Sequence, residues 1–186
     1  MNPLDLTPEQ IAEAFPGAPL ANIRQHWPHV RNALQDARLE SAMIVAYALA
    51  TIAAETAGFA PISEGKSKYN TRAAPFDLYD GRASLGNGPG DGARYKGRGF
   101  VQLTGRDNYR RYGARVGADL ENEPQRANEP AIAAQLLAMF VADRETAILA
   151  ALKAPDFVKA RRAVNGGTHG LDRFSNAYRA ILRALA

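Results

Sequence analysis

Two glutamates stand closest to chemistry in this 186-residue sequence. Glu55 closes the apolar run from Ala42 to Ala54 and is followed by Thr56, Ala57 and Gly58. A helix over that run leaves Glu55 in its last turn. There, partial burial disfavours a charged carboxylate, and the negative end of the helix dipole repels it. A carboxylic acid kept neutral in this way can give a proton to a glycosidic oxygen. The same position also suits an ordinary solvated residue at the end of a core helix. Glu64 follows nine residues later, in Ser63-Glu64-Gly65-Lys66, beyond the Gly58 turn. A second carboxylate facing the first across a cleft could activate water for direct displacement, and inverting glycosidases keep the pair roughly 6.5–9.5 Å apart to hold that water. On spacing alone, the simpler account of Glu64 is a loop glutamate paired with Lys66 or Lys68.

The third feature is the stretch from Arg94 to Tyr109, RYKGRGFVQLTGRDNY, with NGPGDG ahead of it at positions 87–92. It interleaves aromatic rings, cations and amides around paired glycines that let a backbone approach a ligand closely. This run resembles the signature of glycoside hydrolase family 19, the chitinases and phage endolysins of the lysozyme-like superfamily. The pattern is Tyr-x-Gly-Arg-Gly-x-x-Gln-Leu-Ser/Thr followed by an Asn-Tyr pair. The order of two further matches agrees: Ala54 to Gly58 resembles the catalytic-acid motif, and Val164-Asn165-Gly166-Gly167 the late Ile-Asn-Gly-Gly motif.

The resemblance implies a mainly α, lysozyme-like helical domain of two lobes around a cleft, with a loop-rich insertion and at most a small β element. It implies an inverting hydrolysis with Glu55 as general acid and Glu64 as general base. Gln102, Thr104, Asn108 and Asn165 would bind substrate or hold the nucleophilic water. Tyr95 would line the cleft, and Arg173 in Asp172-Arg173-Phe174 would support the site through an ion pair. Gln102 and Thr104 alternate along an expected strand beginning at Phe100, which would turn both to one side. Structural roles remain open for Gly97 and Gly99 as backbone shape, for Arg98 as an ion-pair partner and for Tyr109 as core. The chain departs from the family where histidine usually precedes the acid and Gly-Gly follows the threonine; here stand Ala54 and Ala57-Gly58. The compact form and the glycine-rich lead-in look more like phage and prophage endolysins than plant chitinases. The implied substrate is therefore the peptidoglycan glycan strand, cut at the β-1,4 bond between N-acetylmuramic acid and N-acetylglucosamine, with chitin as the alternative.

The elements that must position these groups are mostly helical. Thr7-Pro8-Glu9-Gln10 has the form of a capping box with proline at the first helical position, and a short helix should run to about Phe15. Helical spacing recurs at Ala21–Gln25, Pro28–Asp36, Glu40–Ala57, Arg106–Val116, Glu129–Arg144, Ala147–Leu152, Asp156–Val164 and Leu171–Leu185. Between Gly58 and Gly99 the prolines and glycines break any helical pattern, and a loop excursion of that length is usually functional. The chain reads as one catalytic domain over 1–186, with N-terminal helices over 1–38 and the family-like core over 39–186.

Composition bounds the remaining alternatives. Hydrophobic residues at 46% and charged residues at 23% suit a globular core. There is no cysteine, so neither disulfide nor thiolate metal site can form. His26, His29 and His169 are the imidazoles, and the pair flanking Trp27-Pro28 suits packing or capping better than a metal. No metal and no cofactor are expected. The net charge of +4 favours an anionic partner. Lys96 to Leu103 partly imitates an RNA-binding RNP1 motif, but Arg98 and Leu103 stand where aromatics belong, and a nucleic-acid partner is not expected. Leu171–Ala186, with Arg173, Arg179 and Arg183, could be a basic amphipathic helix on a membrane or one packed on the core; stable membrane insertion is not expected. No secretory signal opens the chain. The resulting expectation is a monomer held in the host cytoplasm and released to the wall by a holin-type leak.

Overall fold

The computed structural model describes residues 1–65 and 75–186, and of Asn165 the backbone. Its helices are α1 (Pro8–Ala12), α2 (Leu20–Asp36), α3 (Ala42–Glu55), α4 (Asp91–Arg94), α5 (Arg106–Val116), α6 (Pro130–Ala142), α7 (Glu145–Lys153), α8 (Phe157–Asn165) and α9 (Leu171–Leu185). The strands among the described residues are β1 (Ile62–Ser63) and β2 (Arg98–Gly99). Two compact units result, one of Met1–Ala60 with Leu137–Ala186, the other Pro61–Leu136. The N-terminal helices α1 and α2 belong to the same unit as α3 and α9.

The first unit is built on α3. Ser41 caps it by accepting from the Ile44 amide, and every residue from Ile44 to Ala54 is buried. A helix apolar all round must be covered all round. On one side lies α9, whose Phe174, Ala177, Tyr178 and Ile181 form a buried stripe at helical spacing. Its apolar face is thus spent on the core, which removes the ground for a membrane-disrupting helix. Among the described residues no helix is long and apolar enough to cross a membrane. On another side Tyr47 donates its hydroxyl to the Ala160 carbonyl of α8 at 2.8 Å. The Thr7 capping box forms as the sequence predicts.

One helix, α2, replaces the two segments expected around Trp27-Pro28, and Pro28 sits inside it. Proline in a helix interior costs about 3 kcal/mol. Ile23, Trp27, Val30 and Leu34 bury one face of α2, at roughly 1.5–3 kcal/mol each, and the Trp27 indole donates to the Leu6 carbonyl at 2.9 Å. Tertiary burial outweighs the local penalty. His26 is buried on the same helix, and burial holds its imidazole below the usual range.

The second unit carries little regular structure besides α5 and the start of α6. β1 pairs antiparallel with β2, Ile62 opposite Gly99 and Ser63 opposite Arg98. Asn128 ties this pair down, donating to Ser63 Oγ at 2.8 Å and accepting from the Gly99 amide at 2.9 Å. The strand expected from Phe100 is not there. Residues 100–102 instead form the loop of a bridge in which Arg98 and Leu103 exchange backbone hydrogen bonds. Phe100, Val101 and Leu103 are all buried, so the run does not alternate as a half-exposed strand would.

Candidate active site

Glu55 is the last residue of α3, and its side chain is 10% exposed. Its Oε1 accepts from Nη2 of Arg161 at 2.6 Å, and that arginine is fully buried. Arg161 also donates through Nε to the His169 carbonyl at 3.0 Å. The chain then turns at Gly170, whose φ of +70° is open to glycine, and packs against Ala54 beside the acid. Gly58 closes the other side, its carbonyl accepting from the Asn22 amide of α2 at 2.8 Å. The last turn of α3 is therefore fixed by α2, by α8 and by the start of α9. Asn165 ends α8, and its side chain lies outside the described residues.

The cation paired with Glu55 is Arg161, which lies outside the site residues read from the sequence; the resemblance gave Arg173 a supporting ion pair. Arg173 is exposed on α9 and, with Asn176, edges an open pocket whose other walls are Ala14, Phe15, Pro16, Ala53 and Ala57. The sequence carried a signal for Arg161. Phe157, Ala160, Arg161 and Val164 recur at core-facing helical spacing, which puts the arginine on the inner face of α8.

Glu64 heads a second cluster, within the other unit. Its Oε1 accepts from the Tyr79 hydroxyl at 3.1 Å and its Oε2 from the Gly97 amide at 3.2 Å. Its own amide donates to the Gly97 carbonyl at 2.7 Å. A Cβ at Gly97 would lie 2.8 Å from Gln102 Oε1, which would have to shift, and 3.4 Å from Glu64 Oε2. That same closeness places Gln102 beside Glu64. Gln102 has a φ of 51° and donates its amide to the Ile62 and Gly99 carbonyls, each at 3.0 Å. Thr104 Oγ1 donates to the Gln102 carbonyl and Asn108 Nδ2 to the Thr104 carbonyl, both at 2.8 Å. Glu64, Gln102, Thr104 and Asn108 accordingly form one linked group, joined by turns and not by strand alternation. Lys66 and Lys68, the simpler partners considered for Glu64, lie outside the described residues.

Tyr79 was not foreseen. Burial first, then the charge of Glu64 and the hydrogen bond to it, push its phenol up to about 12. It stays a donor to Glu64 throughout the neutral range. Tyr95, expected to line a cleft, is only 2% exposed. Its hydroxyl donates to the Glu121 carbonyl at 3.0 Å and its ring packs on Tyr109 at 5.4 Å. From there it cannot stack on a sugar, and its role is to hold the loop. Arg98 and Tyr109 are likewise structural. Arg98 Nη1 donates to the Arg94 carbonyl at 2.8 Å and to the Tyr109 hydroxyl at 2.9 Å, and the Tyr109 hydroxyl donates to the Lys96 carbonyl at 2.7 Å.

The comparisons with known proteins give relatives in sequence and in fold. A Haemophilus influenzae protein named as containing a glycosyl hydrolase family 19 domain is 35% identical over 101 residues, 53% of this chain and 48% of that protein. The chain resembles family 19 in sequence. Among solved structures, chitinase C from Streptomyces griseus HUT6037 superposes with a TM-score of 0.65, at 18% identity, over 96% of this chain and 76% of that one. A solved mutant of chitinase C gives the same values. The described residues therefore share that chitinase's mainly helical fold, and at this identity the likeness speaks for fold alone. No protein-family model matches the chain. The chain spans about half the length of the curated relative it matches.

Proposed function

We propose that this chain is a glycoside hydrolase that cuts the β-1,4 bonds of bacterial peptidoglycan glycan strands, with Glu55 as general acid and Glu64 as general base. The observation that carries the reading is the Glu55 carboxylate, paired with a buried arginine at the end of a helix buried from Ile44 to Ala54. Proton delivery to one fixed oxygen demands such positioning, since small misplacements of a catalytic group are costly. In the reaction, the Glu55 carboxyl gives its proton to the glycosidic oxygen as the bond to the anomeric carbon breaks. Glu64 takes a proton from a water that attacks the same carbon from the opposite face, so configuration inverts. Two fixed donors, the Tyr79 hydroxyl and the Gly97 amide, suit Glu64 to act as a held carboxylate. Gln102, Thr104 and Asn108 supply polar groups beside it for the water or for N-acetyl groups.

Peptidoglycan is preferred to chitin on charge. The chain carries +4, and the muramyl peptide stems carry carboxylates, whereas chitin is neutral. The likeness to chitinase C favours chitin as the second reading. Turbidity loss of outer-membrane-permeabilised Gram-negative cells, with chitin run in parallel, separates them. Wild type should clear the cells, and Glu55→Gln and Glu64→Gln should each be slower by about 10²–10⁴-fold. Hydrolysis of chitin alone would move the substrate to the second reading. Activity on neither would leave a binding protein with an enzyme's fold.

A further inference from the structure

Arg161 is the most deeply buried charge among the described residues, with no exposed surface. Its guanidinium offers two donors on one edge of the fork: Nη2 to Glu55 at 2.6 Å and Nε to the His169 carbonyl at 3.0 Å. On the far side Nη1 is buried with no hydrogen-bond partner among the described residues. An enclosed guanidinium with an idle donor is a poor device for stability, since desolvating it offsets much of what the ion pair returns. An apolar side chain of similar volume would fill the same space at less cost.

We propose that Arg161 is a positioning residue for the glycosidase reaction, holding the Glu55 carboxyl and the Gly166–Gly170 turn in one fixed relation. Three contacts support this. Arg161 reaches Glu55 on α3 from α8, it reaches His169 at the far end of the turn, and Gly170 then packs on Ala54, next to the acid. The turn begins directly after Asn165, so the same guanidinium that orients the acid also sets the base of the segment bearing Asn165. The planar fork is what allows this; a lysine ammonium is a point charge and cannot reproduce two bonds along one edge. Tyr47, buried against the same groups, donates to Ala160 and keeps α8 in register with α3.

The inference rests on Glu55 being the acid, and the test separates the two. Arg161→Lys, Arg161→Met and Glu55→Gln are assayed for kcat and KM on whichever glycan wild type cleaves, dye-labelled sacculi or chitin hexamer, with folding followed by circular dichroism. Arg161→Lys should lower kcat about tenfold and Arg161→Met about 100-fold, with KM little changed, as expected when a reacting group is misaligned. A residue serving only stability would lower the melting temperature and leave kcat of the folded protein intact. If Arg161→Met does not fold, Arg161→Lys decides. A folded variant of either kind with kcat within about threefold of wild type overturns the proposal, threefold being well short of the loss that misalignment brings. An inert Glu55→Gln beside unimpaired Arg161 variants sinks this inference alone. A fully active Glu55→Gln sinks the reading of Glu55, and this inference with it.

Discussion

Ala54 shows how one small residue can be forced by its neighbours. The family usually has histidine there, yet Ala54 is buried, and a Cβ added at Gly170 would stand 3.0 Å from its carbonyl and 3.1 Å from its Cβ. An imidazole has no room unless the turn after α8 moves. Ala54→His should therefore cost about 1–3 kcal/mol through overpacking and bring no gain in kcat; a thermal melt and a parallel assay check both. Faster turnover from Ala54→His at unchanged melting temperature would show that the turn yields. On the other cluster, Tyr79 is pushed up to about 12 by burial and by Glu64, so it donates at every working pH. Tyr79→Phe removes one of the donors to Glu64, a hydrogen bond to a charged group worth about 1.5–3 kcal/mol. The expected outcome is a kcat reduced about tenfold or more, with KM little changed; an unchanged kcat would mean that the remaining contacts of Glu64 hold it without the phenol. Residue-scale geometry was partly legible in the sequence. Glu55 and Glu64 could be named from position and resemblance. Tyr79 could not, because its link to Glu64 depends on a loop path that no local pattern encodes, and Arg161 shows only as a charge inside the apolar spacing of α8.

Helices with strong periodicity were legible almost to their ends, and the physical reason is that each has a single face to bury. α5 and α9 start and stop where the apolar spacing does. Burial overrode local rules at two places. Pro28 should interrupt a helix but is carried through one by Trp27 and Val30. Phe100 to Leu103 reads as a strand from its residue types, but three of its four side chains are buried, leaving no exposed face to alternate with. The packing of α9 on α3 gives a test at this scale. Phe174 is wholly buried and meets Tyr47 edge-on at 5.3 Å and Tyr178 stacked at 6.5 Å. Phe174→Ala should destabilise by about 3–5 kcal/mol, seen as a lower urea midpoint at unchanged m-value. If α9 were instead loosely attached and free to bind membranes, the same substitution would leave the midpoint near its wild-type value.

Charge belongs to the molecule as a whole. The net +4 is carried largely by exposed arginines, among them Arg110, Arg111 and Arg115 on α5 and Arg173, Arg179 and Arg183 on α9. Several are engaged locally, Arg110 with Asp107 at 2.6 Å and Arg106 with Glu121 at 2.8 Å. Exposed pairs of this kind contribute little to stability, so the arginine surplus is better explained by what the surface meets than by what it holds together. A polymer bearing many carboxylates gains from that field at distances comparable to the Debye length, which shrinks from about 10 Å at 0.1 M salt to about 3 Å at 1 M. A neutral polymer gains nothing from it. Raising salt across that range should therefore increase the amount of sacculi needed for half-maximal rate several-fold, while the KM for chitin hexamer should move by less than about twofold. Catalytic geometry is common to both assays, so any loss of fold or of Glu55 chemistry would affect them alike and cancel in the ratio. An equal salt response on the two glycans would show that the basic surface does not recognise the wall, and chitin would then have the stronger claim as substrate.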